Sequence, residues 1–463
     1  MAGGAARGAM GERVQNADRL SNGALVGYGL SAAPVIYSYV LILIMYMKYA
    51  ATELGASTAV VGTIFLAAKF WDAVTDPLIG SLSDRTRHKS GRRRPWLLAG
   101  APLLAIFSIM AWSPPTGLEG AGLTVWITVA VIGFYTAYTV FDIPHMALGA
   151  EITLDASERN RVFGVRQALK VAGMLAAGVL GSYFVGQGVD STRIMAWVVG
   201  GLTIALILGG VSMLPRERTD FQGRGGANPF RALGDVIRNR HARLLLFVIF
   251  IDAIGTGGIG VLTPFVLDYV VGRAELVPVL LGANMVATLL TVPLWIRLAR
   301  RFEKRHLMLF AMLGSGIGYG GILMVGPGDW QIVALSAVVA GASSSCANIL
   351  GYTLKSEIID CDEHSTGERK EGAYFAGWSF VNKLAAGIMI GVVGWALEWS
   401  GFEASVQEQS ALAKRTMIIL MGGFPLVCYV AGAIAFSRFS LTESDHARIR
   451  AELDARSASQ PVA

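Results

Sequence analysis

Apolar runs of roughly twenty residues, the length that crosses a bilayer core as a helix, recur along the whole chain. Twelve can be counted. Six lie near Leu25–Tyr49, Ser57–Leu82, Pro95–Trp112, Leu123–Met146, Ala168–Val185 and Met195–Leu214. Six more lie near Leu244–Val271, Val277–Trp295, Leu307–Val325, Trp330–Leu354, Ala373–Trp399 and Thr416–Phe436. The first run is too long for a signal peptide and lacks the small-residue cleavage pattern, so it reads as a retained span. The pattern predicts an all-α polytopic membrane protein with twelve transmembrane helices.

The longest polar interval, "PRERTDFQGRGGANPFRALGDVIRNRHAR", separates six spans from six. Its Gly-rich start reads as a linker and "NPFRALGDVIRN" as a short surface helix. The expected layout is an N-terminal segment 1–22, a first bundle 23–214, a linker 215–243, a second bundle 244–437 and a tail 438–463.

The two halves echo each other. "AEITLDASERNRVFGVRQALKVAG" and "SEIIDCDEHSTGERKEGAYFAGWSFVNKLAAG" both run from Glu-Ile at the end of a span through an acidic loop to Glu-Arg, then into a helix carrying a Lys followed by Ala and Gly. Two six-helix bundles related by a pseudo-two-fold along the membrane normal are the layout of a major facilitator transporter, with its site near mid-depth between repeats.

Composition agrees with the pattern: 53% of the 463 residues are hydrophobic and 16% charged, with a mean hydropathy of +0.52. Lys and Arg are lopsided. One side carries Arg85–Arg94, Arg159–Arg166, Arg216–Arg243, Arg297–Arg305 and Lys355–Lys370, and the other only Lys48, Arg193, Arg273, Lys414 and Arg415. Retention of positive loops inside predicts cytoplasmic termini in a plasma (bacterial inner) membrane. The net charge of +6 then reflects topology, and no nucleic-acid partner is expected. Cys346, Cys361 and Cys428 are scattered without metal spacing, so neither a disulfide framework nor a zinc site is implied. No metal-ligand cluster, nucleophile elbow or phosphate loop suggests an enzyme, and no cofactor is implied.

Candidate chemistry lies in the charges inside the spans: Lys69, Asp72 and Asp76 on helix two, Asp142 on helix four, Asp252 on helix seven and Lys383 on helix eleven. An acid at mid-membrane costs about 2.5–3.5 kcal/mol on insertion scales and usually has a task. At about 1.5 Å of rise per residue, Asp72, Asp252 and Lys383 come roughly 14–15 Å into their helices, near the middle of a core about 30 Å thick. Spacing puts Lys69, Asp72 and Asp76 on one helix face. Paired carboxylates share a proton or bind a small hard cation, to which Thr75 and Thr139 could add oxygens. The alternative is a structural Lys69–Asp72 ion pair.

Asp142 lies in "YTVFDIPHM", where Pro144 kinks the helix near its acid and Tyr135 and Tyr138 sit on nearby turns. His145 reads as a surface or packing residue. Lys383 is the natural counter-charge to these acids, with Trp378 and Ser379 about a turn earlier. For Asp252 a solute role and a structural role stand side by side, because the following glycines suggest close helix packing.

The stretches "FWDAVTDPLIGSLSDRTRHKSGRRRPW", "YTVFDIPHMALGAEITLDASER" and "SEIIDCDEHSTGERKEGAYFAGWSFVNK" together resemble the glycoside-pentoside-hexuronide:cation symporters, the melibiose permease-like family of the major facilitator superfamily. The resemblance implies a cation site at Asp72 and Asp76 with Thr139 contributing, Asp142 bridging cation and solute, Lys383 coupling the halves, and Arg166 near the solute. The sodium-using members carry Asn where this chain has Thr75, leaving Na+ and H+ both open. The helix-one acid that bonds sugar hydroxyls in sugar-carrying members is missing here; Tyr28, Tyr37 and Tyr39 could stack on a ring or line the path of an amphiphile.

The expected function is secondary active symport of a small organic solute, by default a glycoside, with Na+ or H+ by alternating access, in a monomer in the lipid bilayer. A lysolipid transporter of the same fold and a non-transporting membrane receptor are the alternatives. Asp84, Arg85 and Arg92, with Glu368 and Arg369, are candidates for a cytoplasmic gate that holds the outward-facing state; plain positive-inside anchoring is the other account of these arginines.

Overall fold

A computed structural model describes residues 20–153, 155–217, 239–366 and 371–459. These residues are helical, without strands, and twelve helices are long and apolar enough to cross a membrane. They are α1 (Asn22–Thr52), α2 (Thr58–Arg85), α3 (Arg94–Trp112), α4 (Gly120–Glu151), α5 (Ala156–Gly186) and α6 (Val189–Ser212). There follow α7 (Arg240–Val271), α8 (Val277–Ala299), α9 (Lys304–Gly320), α10 (Trp330–Thr366), α11 (Glu371–Trp399) and α12 (Ala411–Phe436). A thirteenth, α13 (Glu443–Ser459), lies in the predicted tail. Its start is a capping box: Thr442 Oγ1 accepts from the Asp445 N–H at 3.1 Å, and the Thr442 N–H donates to Asp445 Oδ2 at 3.3 Å.

Two helices depart from plain α geometry. In α7 the α-helix ends at Gly257, restarts at Ile259 and closes with a π-helical turn over Val266–Val271. The glycines there are close-packing points: a Cβ at Gly257 would lie 2.8 Å from Ala386 Cα, and one at Gly255 would lie 2.8 Å from Cys428 Cβ. A second π turn, Ile419–Gly423, interrupts α12, whose first turn is capped by the Ser410 hydroxyl accepting from the Ala413 N–H.

Helices outrun their apolar windows where polar turns find partners. The tenth window ends at Leu354, yet α10 continues to Thr366. Glu357 on that extension bonds Lys304 at 2.5 Å, and Asp360 meets His446 of α13 at 3.0 Å. Lys355, which counts as a loop charge in the sequence pattern, is therefore a helix residue.

The chain forms two compact units, Met1–Leu43 with Val74–Gly226, and Ile44–Ala73 with Ala227–Ala463. In the first, α3 packs between α4 and α6. In the second, α10 packs on α8 and α9, and α7 on α11 and α12. Beginning at its N-terminus, α2 docks on α11 along a seam of small residues, where a Cβ on Gly394 would lie 2.3 Å from the Thr58 carbonyl oxygen and one on Gly62 would lie 3.0 Å from Gly394 Cα. The Ser57 and Thr58 hydroxyls bond Glu398 at 3.0 and 3.1 Å, closing the end of that seam.

Candidate functional site

Helix α2 carries the charges that the apolar pattern isolates, and Pro77 follows Asp76 inside it. A helix-interior proline removes one backbone hydrogen bond, so this turn is bound less tightly than its neighbours. In the second unit Asp72 is 1% exposed and lies 2.9 Å from Lys383 Nζ of α11. The approach is possible because Gly387, one turn after Lys383, has no side chain: a Cβ there would fall 2.6 Å from Lys69 Cβ. Lys69 is itself buried.

In the first unit the Thr139 hydroxyl donates to Asp76 at 3.2 Å, and Thr75 is buried. Arg166 of α5 reaches Asp142 of α4 at 2.6 Å, and Tyr138, one turn before that acid, donates to it at 3.3 Å. The Tyr39 ring lies 4.7 Å from that of Tyr138. Pro144 follows Asp142 as Pro77 follows Asp76, so each acid sits beside a weakened backbone turn.

Other candidates fall elsewhere. Tyr28 is fully buried, with its ring stacked 4.1 Å from His145 and its hydroxyl donating to the His145 carbonyl at 3.0 Å. Its face is thus occupied by packing, which corrects the expectation that it stacks on a solute. Asp252, Trp378 and Ser379 line a cavity of about 410 Å3 inside the second unit.

Of the gate residues, Asp84 and Arg92 join a dense cluster in the first unit, but Arg85 points to solvent and makes no ion pair among the described residues. Its expected place is taken by Arg93, whose guanidinium bonds Asp84, Glu151 at 2.8 Å and Ser83 at 2.6 Å. Arg92 adds a 2.7 Å contact to Glu151. Glu217 then accepts backbone N–H groups from Arg92 at 2.7 Å, Arg93 at 3.0 Å and Arg94 at 2.7 Å, at the start of α3. A carboxylate suits the exposed amides and positive dipole end of a helix N-terminus. Gly91, at φ +110°, makes room: a Cβ there would lie 2.3 Å from the Glu217 carboxyl carbon. Glu368 and Arg369 lie outside the described residues.

Arg93, Glu151 and Glu217 are the residues that sequence reasoning missed. The available signals were the Glu-Ile that opens the repeated loop segment and the lone glutamate of Pro-Arg-Glu-Arg after span six.

The family model described as MFS/sugar transport protein matches residues 27–443. The putative glycoside/cation symporter YagG of Escherichia coli K12 is 27% identical over 427 residues, covering 90% of this chain and 92% of that protein. The sodium-dependent lysophosphatidylcholine symporter 1 of Gallus gallus is 23% identical, covering 82% of this chain and 79% of that protein. In fold the chain is similar to the nucleoside transporter NupG, with a TM-score of 0.68 at 14% identity, over 91% of this chain and all of that one. The protein is a multi-pass membrane transporter and not an enzyme, and it belongs to the MFS/sugar transport protein family.

Proposed function

We propose that this protein moves a hydroxyl-rich organic solute, a glycoside in the first instance, together with a cation, Na+ or H+, across the plasma membrane by alternating access. The similarity to a glycoside/cation symporter along nine-tenths of the chain supports the solute class. The observation that carries the coupling is the buried Asp72–Lys383 pair at 2.9 Å. A carboxylate held by an ammonium in an apolar bundle can exchange that partner for a proton or a hard cation, and the released lysine is then available to the solute.

In this reading Asp72 and Asp76, one turn apart on α2, take the coupling ion with the Thr75 and Thr139 hydroxyls. Asp142, Arg166, Tyr138 and Lys383 face the solute side, with Asp252, Trp378 and Ser379 contributing from the second unit. The six-helix halves 23–214 and 244–437 rock about the site with both termini cytoplasmic, and Asp84, Arg92 and Arg93 belong to the cytoplasmic gate. Ion and solute each raise the affinity for the other, because the coupling is reciprocal.

The test is uptake of a radiolabelled glycoside panel into proteoliposomes under separate sodium and pH gradients. Accumulation should follow one gradient and vanish in Asp72→Asn. Uptake indifferent to both gradients would refute symport. The similarity to a lysophosphatidylcholine symporter favours one further reading, an amphiphile as solute, so lysolipids belong in the same panel.

A further inference from the structure

We propose that the cavity inside the second unit binds an oxyanion carried by the solute, with Lys355 as its counter-charge. This rests on the transport reading above and specifies the charge of what is carried. The cavity, about 410 Å3, is lined by α7, α9, α10, α11 and α12 of that unit. It lies within the range of roughly 300–1,000 Å3 usual for small-molecule sites.

Lys355 stands apart from the paired cations of the spanning helices. Lys48 faces Asp268, Arg166 faces Asp142, Lys304 faces Glu357 and Lys383 faces Asp72. Among the described residues Lys355 has no carboxylate within ion-pair reach. Its ammonium instead lies 5.1 Å from the ring of Tyr352 and 5.4 Å from that of Trp378. Aromatic faces return only part of what an ammonium loses on leaving water. Such a cation lining an open cavity is a receptor for a negative group.

Further donors line the same space. Trp378, 2% exposed, keeps an indole N–H with no acceptor among the described residues, and the amides of Asn348 and Asn382 also line the cavity. An acceptor is also present: Asp252 lines the cavity from α7 and is engaged by the Tyr429 hydroxyl. The lining therefore suits a solute with an oxyanion for Lys355 and hydroxyls for Asp252 and the two amides. A sugar carboxylate and a lysolipid phosphate share this chemistry.

The test measures binding to the full-length protein in nanodiscs by titration calorimetry, in two matched pairs. One is 4-nitrophenyl glucuronide against 4-nitrophenyl glucoside, and the other is lysophosphatidate against monoacylglycerol. In one pair the anionic member should bind about tenfold or more tightly, the scale of a charge-assisted hydrogen bond, and that pair identifies the source of the oxyanion. Lys355→Gln should bring the ratio to within about twofold, and Lys355→Arg should keep it. Equal affinities within both pairs in the wild type, which needs no variant to fold, overturn the proposal, as does a preference that survives Lys355→Gln. Gradient-driven uptake of the neutral glucoside with no anion preference defeats the Lys355 assignment alone; loss of all gradient-driven uptake in the wild type defeats the transport reading.

Discussion

The cluster at the start of α3 and the Asp72–Lys383 pair place charge in buried surroundings by opposite means. Around Arg92 and Arg93 the cations are guanidinium groups, and Arg93 alone spans Asp84, Glu151 and Ser83. Glu217 seals the same place by taking three backbone amides. A planar fork with several fixed partners makes a rigid knot. In the apolar interior the cation is a lysine, a compact point charge on a flexible stem, against a carboxylate that is 1% exposed. At these two places the arginines form a fixed knot, and the lysine keeps a single partner that it can exchange.

Three changes break or sharpen that contrast. The largest effect belongs to the interior pair. Asp72→Asn strands Lys383 beside a neutral amide, and losing one member of a buried pair costs about 3–5 kcal/mol. A several-degree fall in the unfolding temperature in detergent is expected. The double variant Asp72→Asn with Lys383→Met should recover most of that stability while gradient-driven uptake stays lost. Uptake retained by the double variant would remove the pair from coupling.

A middle-sized effect comes from the knot. Arg93→Lys keeps the charge but cannot reach all three partners, forfeiting at least one charged hydrogen bond, a loss of about 1.5–3 kcal/mol. Thermal unfolding checks this. A lysine that substitutes without loss would show that the fork geometry has no special part.

The smallest effect lies at the solvated end of the scale, in the capping box of α13. Thr442→Ala should cost about 1 kcal/mol, read as faster amide exchange in the first turn of that helix. Asp445 is held below the ordinary carboxylate range first by the Thr442 hydroxyl and then by its N–H. A depressed carboxyl contributes stability that is present above its unfolded pKa and lost as pH falls through the folded one. Protection of this turn should therefore fade on acidification below the ordinary Asp range, and Thr442→Ala should flatten that dependence.

Much of this was readable along the chain. Windows of apolar residues located all twelve spans, because a bilayer demands one length and one chemistry of every helix that crosses it. The acids stood out for the same reason. Helix ends were less legible: α10 runs on through Glu357 and Asp360 because those residues meet groups from α9 and α13 that a local window does not contain. The capping box at Thr442 and Asp445 is visible as Thr-x-x-Asp inside the segment expected only as a tail.

The sequence by itself thus determined how many times the chain crosses the membrane and which buried charges require an explanation, since both follow from transfer free energies that depend on composition alone. Only the tertiary structure decided partnership: Lys383 with Asp72, Arg166 with Asp142, Arg93 rather than Arg85 with Asp84, and Lys355 with aromatic rings instead of an acid. Electrostatic pairing acts over a few ångströms in space, and distance along the chain does not report which helices approach that closely.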